Sequence, residues 1–346
     1  MSVHLVDPLA DPRWAGLLAR HPAASVFHLP GWLDALQRSY GCMPRVLTTT
    51  PPGEELRNGL AICEVKNWRA TRLVSVPFSD HCEPLVDTAQ EWSEILAFLS
   101  AGISGRRWTS VELRPRTSAL MTDIPSTWTA SSEYLFHRCD LTPGIDAILA
   151  RLHPSCMQRP IRRAAREQLR CKSGSSPILL DTFYGLLRMT RRRHGRPPQP
   201  MTWFRNLAAA LGDRRTIRVA YKADRPIAST LTISFKNQLV YKYGGSDAAY
   251  HKLGGMPFLF WQAMQDAKAR GFEEFDLGRS DTDQRGLTDF KDHLGAEATR
   301  LTYYSQPRAP QSAVGGWQER AASWVFRRLP DPALTLAGRV LYKHLA

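Results

Sequence analysis

The chain has 346 residues, 43% of them hydrophobic, and 46 lysines and arginines against 32 aspartates and glutamates give it a formal charge of +14. At about 100–200 residues per domain this length predicts two cores rather than one, and ten tryptophans with 23% charged residues exclude a disordered chain. The charge suits an anionic partner, whether nucleotide, nucleic acid, polyanionic polymer or acidic lipid surface, without choosing among them.

Arginine outnumbers lysine near 151–170 and 188–196, where planar guanidinium groups suit bidentate contact with phosphate or carboxylate; a solvated basic face is the plainer alternative. Six cysteines, at 42, 63, 82, 139, 156 and 171, show no C-x-x-C spacing, so neither a zinc site nor a disulfide framework is indicated and a reducing compartment is expected. The start MSVHLVDPLADPRW lacks the basic and apolar regions of a secretory signal, and no run of about 18 apolar residues occurs. A cytoplasmic protein is expected.

In chain order, Pro30 to Leu36 opens a helix whose Trp32, Leu36 and Tyr40 share a face and which Gly41 ends. Strands are expected at Arg45 to Thr49, Gly59 to Val65 and Arg72 to Pro77, the first two divided by the turn Pro51-Pro52-Gly53. A helix from Glu91 to Leu99 and a strand from Thr109 to Leu113 follow. Between 144 and 172, Pro160 suits a helix first turn, which places Arg162, Arg163 and Arg166 on a short basic helix.

The second half repeats the first: helices at Phe183 to Thr190 and Trp203 to Leu211, then strands at Thr216 to Lys222, Ile227 to Phe235 and Gln238 to Tyr243. Gly244-Gly245 closes the last strand. Met256 to Arg270, with Pro257 in its first turn and Gly271 beyond its end, reads as a helix leading to a parallel strand, Phe275 to Leu277, that ends Gly278-Arg279-Ser280-Asp281. Both third strands run into Ser-Asp, at Ser79-Asp80 and Ser246-Asp247, and both last strands end at an arginine, Arg114 and Arg279. The expectation is a duplicated α/β (α+β) domain with mixed central sheets: residues 1–140, 141–306, and a 307–346 linker and amphipathic helical tail. In the tail, Trp324, Val325, Leu329, Leu336, Val340 and Leu341 supply apolar faces that Arg320, Arg327, Arg328, Arg339 and Lys343 flank, interrupted at Pro330 and Pro332. Packing back on the first domain is expected, with peripheral contact of 313–346 with an anionic inner membrane as the rival.

Over residues 20 to 306 the sequence resembles the FemAB-type branch of the GNAT acyltransferase superfamily, in the group of BioF-like and CelD-like acetyltransferases. The resemblance rests on Val26-Phe27-His28-Leu29-Pro30-Gly31-Trp32, Arg159 to Glu167, Thr190-Arg191-Arg192-Arg193-His194-Gly195, the Tyr241 to Gly245 strand end, and Gly286-Leu287-Thr288-Asp289-Phe290-Lys291. It implies two tandem GNAT-like domains and transfer of an acyl or aminoacyl group to an amine, often on a cell-envelope precursor. No tightly bound cofactor is expected; acyl-CoA or aminoacyl-tRNA would be the donor. Of the GNAT pyrophosphate motif the chain shows only His251, Gly254 and Met256 in the three key places, a departure that leaves room for aminoacyl-tRNA.

Amine acylation needs an oxyanion stabiliser and a proton acceptor. Lys291, which with Phe290 falls where the resemblance places a Phe-Lys pair, is the first candidate for the oxyanion, against a solvated surface lysine. Asp247 and Asp281 are the other catalytic candidates, Asp276 being a further strand-end carboxylate beside Arg279; loop capping is the alternative for each. Arg193 and His194, on a loop closed by Pro197-Pro198-Gln199-Pro200, are candidates for an anionic substrate, with Arg279, Tyr243, Phe290, Trp32, Ser79, Asp80 and His81 as further substrate contacts. Core packing is the default for Trp32, Tyr241 and Tyr243. Gly244, Gly245, Gly254 and Gly255 are candidates to expose backbone N–H groups to the donor. Ser79-Asp80-His81-Cys82-Glu83 packs reactive side chains together, but neighbours in a chain point apart, so a substrate loop is favoured over a triad or a metal site. A non-catalytic polyanion binder and an acyl-CoA-dependent enzyme of polysaccharide or lipid modification are the rival readings.

Overall fold

The computed structural model describes residues 2–66, 70–117, 119–121, 124–307 and 316–345, and of 316–321 and 343–345 the backbone alone. The expected linker thus lies largely outside the described residues, as do the side chains of Arg320 and Lys343. Two units divide the chain: Met1–Tyr134, Arg300–Ser312 and Tyr342–Ala346 form unit 1, Leu135–Thr299 and Ala313–Leu341 form unit 2.

Unit 1 begins with β1 (His4–Val6) and α1 (Pro12–Arg20), the helix capped by the Asp11 carboxylate. A short turn, Val26–His28, leads to α2 (Pro30–Tyr40), which starts on its proline and ends where Gly41 turns to φ +72°. Then come β2 (Met43–Thr48), β3 (Leu60–Lys66) and β4 (Thr71–Val74). The third strand stops three residues short of the expected Pro77 because Val76 and Phe78 take positive φ, 54° and 59°, which breaks the extended backbone. α3 (Ala89–Ser104) begins earlier than Glu91, because Thr88 and Glu91 form a reciprocal capping box. β5 (Ser110–Leu113) and β6 (Thr129–Asp140) follow. Leu60, Ile62, Ile95, Leu99, Trp108 and Val111 fill the core between sheet and helix.

The second half begins with α4 (Ile145–Arg151), a π-helical turn Pro154–Gln158, α5 (Arg159–Arg166) and β7 (Arg170–Gly174). α6 (Pro177–Arg193) is capped by Ser176 and runs beyond the expected Thr190, followed by α7 (Met201–Leu211). Next are β8 (Arg215–Lys222), β9 (Arg225–Phe235), β10 (Gln238–Ser246), α8 (Gly255–Ala269), β11 (Glu274–Asp281) and α9 (Arg285–His293). β12 (Glu297–Gln306), α10 (Gly316–Arg328) and α11 (Asp331–Leu345) complete the chain. Leu239, Phe260, Met264, Phe275 and Leu277 are central to the core of unit 2. Arg218 crosses this unit's sheet at 2% exposure, its charge met by Asp266 at 2.8 Å and Thr232 at 3.1 Å.

The duplication is visible in strand order. Unit 1 runs β1-β2-β3-β4-β5-β12 and unit 2 runs β7-β8-β9-β10-β11-β6. Each has an edge strand, a three-strand antiparallel meander, then a parallel neighbour reached through a helix: β4 to β5 by α3, β10 to β11 by α8. Each six-strand run takes its sixth strand from the other half of the sequence, β12 pairing with β5 through Ser305 and Glu112 while β6 lies beside β11. The unit boundaries therefore pass through β6 and β12 rather than at 140 and 306. The tail departs from its expected place as well: up to Leu341 it belongs to unit 2, where Asp331 pairs with Arg188 and Arg192 of α6.

In unit 1, His28 is fully buried, accepting the Ser25 N–H at 3.0 Å through Nδ1 and donating from Nε2 to Glu83 O at 2.9 Å. Burial pushes its pKa down to about 4, partly offset by these hydrogen bonds. The unfolded chain, with an ordinary histidine near 6.5, then binds the additional proton as pH falls between these values. Stability should fall by about 3 kcal/mol from pH 6.5 to pH 4 through this group. Urea melts across that range are expected to show the slope, and His28→Gln to flatten it.

Candidate active site

A cavity of about 490 Å³ opens in unit 2 between α5, the turn before α8, and α9. Its wall includes Arg163, His251, Lys252, Gly254, Phe290 and His293. A second opening of about 450 Å³ lies along α5, lined by Pro154, Ser155, Arg159, Arg162 and Arg166. The local sequence explains the arrangement. Arginines at 159, 162, 163 and 166 follow helical spacing, and the small Ala164 buries the opposite side. None of these four has a carboxylate within ion-pair distance among the described residues, so their charge faces solvent or a ligand. Arg163 donates to Lys252 O at 2.9 Å, which ties α5 to the turn beside it.

Gly254 is the pivot of that turn. It sits at φ +77°, and a Cβ there would lie 2.6 Å from Pro160 O, so only glycine lets the start of α5 touch the start of α8. The residue caps α8 without a side chain, leaving the positive end of the helix beside the cavity. His251 stands exposed at the rim, its Nε2 2.9 Å from Ser246 Oγ. Partial loss of solvent around the ring, with the Arg193 charge adding, lowers its pKa, while Asp247 opposes the shift. The imidazole is therefore neutral at pH 7 and able to accept a proton. His153, Cys156 and His293 also approach one another, their ligand atoms within 4.8 Å, but the His153 Nδ1 lone pair already accepts the Cys156 N–H at 3.1 Å.

Of the residues singled out in the sequence, Gly254 and Phe290 line the cavity, the Phe290 ring standing edge-on to Phe260 at 5.4 Å. Arg193 and Asp247 lie behind it. Arg193, in the last turn of α6 rather than on a loop, donates to Ser246 O at 3.1 Å, and His194 caps that helix. Asp247 caps the turn after β10 and pairs with Arg225 at 3.2 Å. Lys291 is buried at 3% exposure and turned toward β11, where Nζ donates to Gly278 O and Arg279 O, each at 2.9 Å. Asp276 accepts the Gly278 N–H at 2.6 Å, and Asp281 accepts from Gln284.

Gly245 and Gly244 serve packing. A Cβ on Gly245 would fall 2.5 Å from backbone atoms of Leu186 and Leu187 in α6, and one on Gly244 would fall 2.3 Å from Tyr241 Oη. Gly255 faces Ala228 of β9, 3.1 Å from where its Cβ would stand. Tyr243 is buried, its hydroxyl accepting from Trp203 at 3.0 Å and Gln199 at 3.2 Å, which holds the proline-rich segment in place. In unit 1 Trp32 is wholly buried edge-on to Phe27. The Ser79 to Glu83 segment turns inward: Ser79 donates to Val76 O at 2.7 Å, Asp80 O accepts from Tyr303, His81 packs on Phe27, and Glu83 accepts from Thr117. Lys252 is a cavity residue that sequence reasoning had not put forward, and His251 was noted only as standing in a key place of the pyrophosphate motif, not as a catalytic candidate; the polar turn between Ser246-Asp247 and Gly254-Gly255 was the signal for Lys252.

Residues 155–292, which contain all of this cavity wall except His293, match the acetyltransferase (GNAT) domain. That stretch is therefore a GNAT acetyltransferase domain, and the tandem architecture that holds it is FemAB-like in fold. Among solved structures the fold is similar to FemX, 12% identical over 92% of this chain and 100% of that one, with TM-score 0.72. L-PGS from Bacillus licheniformis is 14% identical, covering 92% and 98% at TM-score 0.54. A tandem GNAT protein from the clavulanic acid biosynthesis pathway is 11% identical, covering 89% and 99% at TM-score 0.53. No curated protein matches the sequence.

Two substitutions test the placements outside the cavity. Gly245→Ala should destabilise the fold by about 1–3 kcal/mol, since the added methyl meets backbone that cannot swing aside. Lys291→Met should cost a similar amount, about 1–3 kcal/mol, by leaving buried carbonyls without their donor. Chemical denaturation measures both, and a Lys291→Met chain of unchanged stability would show that the ammonium is not a structural tie.

Proposed function

We propose that this acyltransferase moves an acyl or aminoacyl group to an amine on an anionic, envelope-precursor or exopolysaccharide-related acceptor, with its chemistry in the cavity between α5, α8 and α9. One observation carries the reading: Arg163, a helix start opened by glycine and a neutral imidazole line one cavity of the GNAT domain, and Arg159, Arg162 and Arg166 of the same helix line the opening along α5. The arginines suit the phosphates that both acyl-CoA and aminoacyl-tRNA carry. A position at the inner face of a membrane, where a lipid-linked acceptor would be met, belongs to the same reading.

The acceptor amine attacks the donor carbonyl, a C–N bond forms, and the C–S or C–O bond to the donor breaks. The amine loses a proton in this step. With Nε2 donating to Ser246 Oγ, the His251 ring has its lone pair on Nδ1, and this nitrogen takes the proton, which then leaves on the thiol or hydroxyl of the departing donor. Arg193 donates to the Ser246 carbonyl and hydroxyl oxygens and so fixes the serine that orients the ring. The start of α8 stabilises the developing oxyanion. Lys291 acts as a positioning residue, holding α9 on the β11 carbonyls and so fixing Phe290.

A panel of acyl-CoAs and charged tRNAs, each offered with amine-bearing anionic acceptors, tests the assignment. Turnover with one donor class is expected. Because acid protonates the base, kcat/KM should be full at pH 7 and decline below the His251 pKa, which lies under 6.5. His251→Gln should lower kcat by about 100- to 10,000-fold and remove the acid limb. A variant that keeps both the rate and the limb would take His251 out of the reaction.

A further inference from the structure

The two tail helices are fixed to unit 2 by one side each. On α11, Asp331 pairs with Arg188 and Arg192, Leu334 is buried, and Gly338 lies so close to Pro198 that a Cβ would stand 1.9 Å from its carbonyl oxygen. On α10, Ser323 meets Gly195, where a Cβ would stand 2.0 Å from Ser323 Oγ, and Leu329 O accepts from Arg192 at 2.9 Å. These contacts use positions 331, 334 and 338 of α11, a single stripe of the helix.

The outer side is apolar and basic together. Trp324 is 59% exposed, Leu336 60% and Val340 54%, with Val325 also exposed. Arg327, Arg328 and Arg339 stand among them, the Arg328 guanidinium lying 3.9 Å over the Trp324 ring. Packing against α6 has therefore not covered the apolar residues that would ordinarily account for such a helix. No described helix is long and apolar enough to cross a membrane. Apolar side chains level with arginines, on helices too polar to span, match a bilayer interface, where the chains enter the acyl boundary and the guanidinium groups meet lipid phosphates. The occupant must be anionic, since the chain carries a formal charge of +14 and the flanking charges on this face are arginines.

We propose that the outer face of α10 and α11 is a docking surface for an anionic lipid bilayer, holding the enzyme at the membrane without insertion of a spanning helix. The surface gives the membrane position proposed above its structural basis and depends on none of the chemistry proposed for the cavity.

Flotation of the full chain with vesicles of phosphatidylcholine and phosphatidylglycerol, and with phosphatidylcholine alone, tests it. The chain should float with the anionic vesicles and partition about tenfold less to the neutral ones. Trp324→Glu combined with Leu336→Glu and Val340→Glu should abolish flotation while the thermal melt and donor turnover in detergent-free solution stay as in the parent chain. Tryptophan fluorescence of the parent should shift to the blue on anionic vesicles, and Trp324→Leu should lose the shift but still float. Three outcomes would overturn the proposal: no flotation of the parent chain, equal flotation of the triple variant, or concentration-dependent self-association through this face in place of lipid binding. Loss of turnover in the parent chain with flotation intact would count against the acyl transfer alone.

Discussion

The close approach of α6 to β10 governs the second unit. Gly245 lets the backbone of Leu186 and Leu187 lie where any side chain would intrude. At that distance Thr190 reaches Ser246, accepting its N–H at 2.8 Å and donating to its carbonyl at 3.2 Å, and Arg193 reaches the same carbonyl. Ser246 is thereby fixed at the end of β10, and its hydroxyl orients His251 at the cavity rim. The other side of α6 presents Arg188 and Arg192 to Asp331. A missing methyl group thus positions a catalytic candidate on one flank and a pair of surface helices on the other.

The charged residues of unit 2 sort by what burial demands of them. Arg218 and Lys291 are almost without solvent, and each has its donors spent on fixed oxygens, because an unpaired buried charge costs far more than the fold can spare. The arginines of α5 are exposed and, with no carboxylate at ion-pair distance among the described residues, remain available to a phosphate. Chemical type alone does not separate these cases. Lysine on α9 and arginine on α5 look equally suited to an anion in the sequence, yet only the second group faces open space.

Duplication supplies two six-strand runs of the same order, but the chain does not fold as two consecutive segments. Unit 1 lacks its sixth strand until β12, nearly two hundred residues after β5, is in place beside it. Contacts of such sequence separation are costly to close in entropy and form late. The acyltransferase domain therefore lies within a chain whose first core is completed by residues that follow that domain.

The sequence by itself determined the elements with strong local signals. The periodic helices α2, α7 and α8, the meander strands, the repeated order and the parallel crossover at β10–β11 all follow from short-range patterning of apolar residues, glycine and proline, which acts without regard to the rest of the chain. Gly254 was legible on the same basis as a glycine before a helix start, and Phe290 only as part of a family-like pair; that both line one cavity came from the structure. Only tertiary structure decided the direction of side chains and the partner of each strand. Lys291 turned to the β11 carbonyls, Tyr243 took up Trp203 and Gln199, the Ser79 to Glu83 segment folded inward, and β6 and β12 divided between the units. Each depends on groups distant in sequence whose hydrogen bonding or desolvation sets the orientation, and His251 gained its place from Ser246 and Arg193 for the same reason.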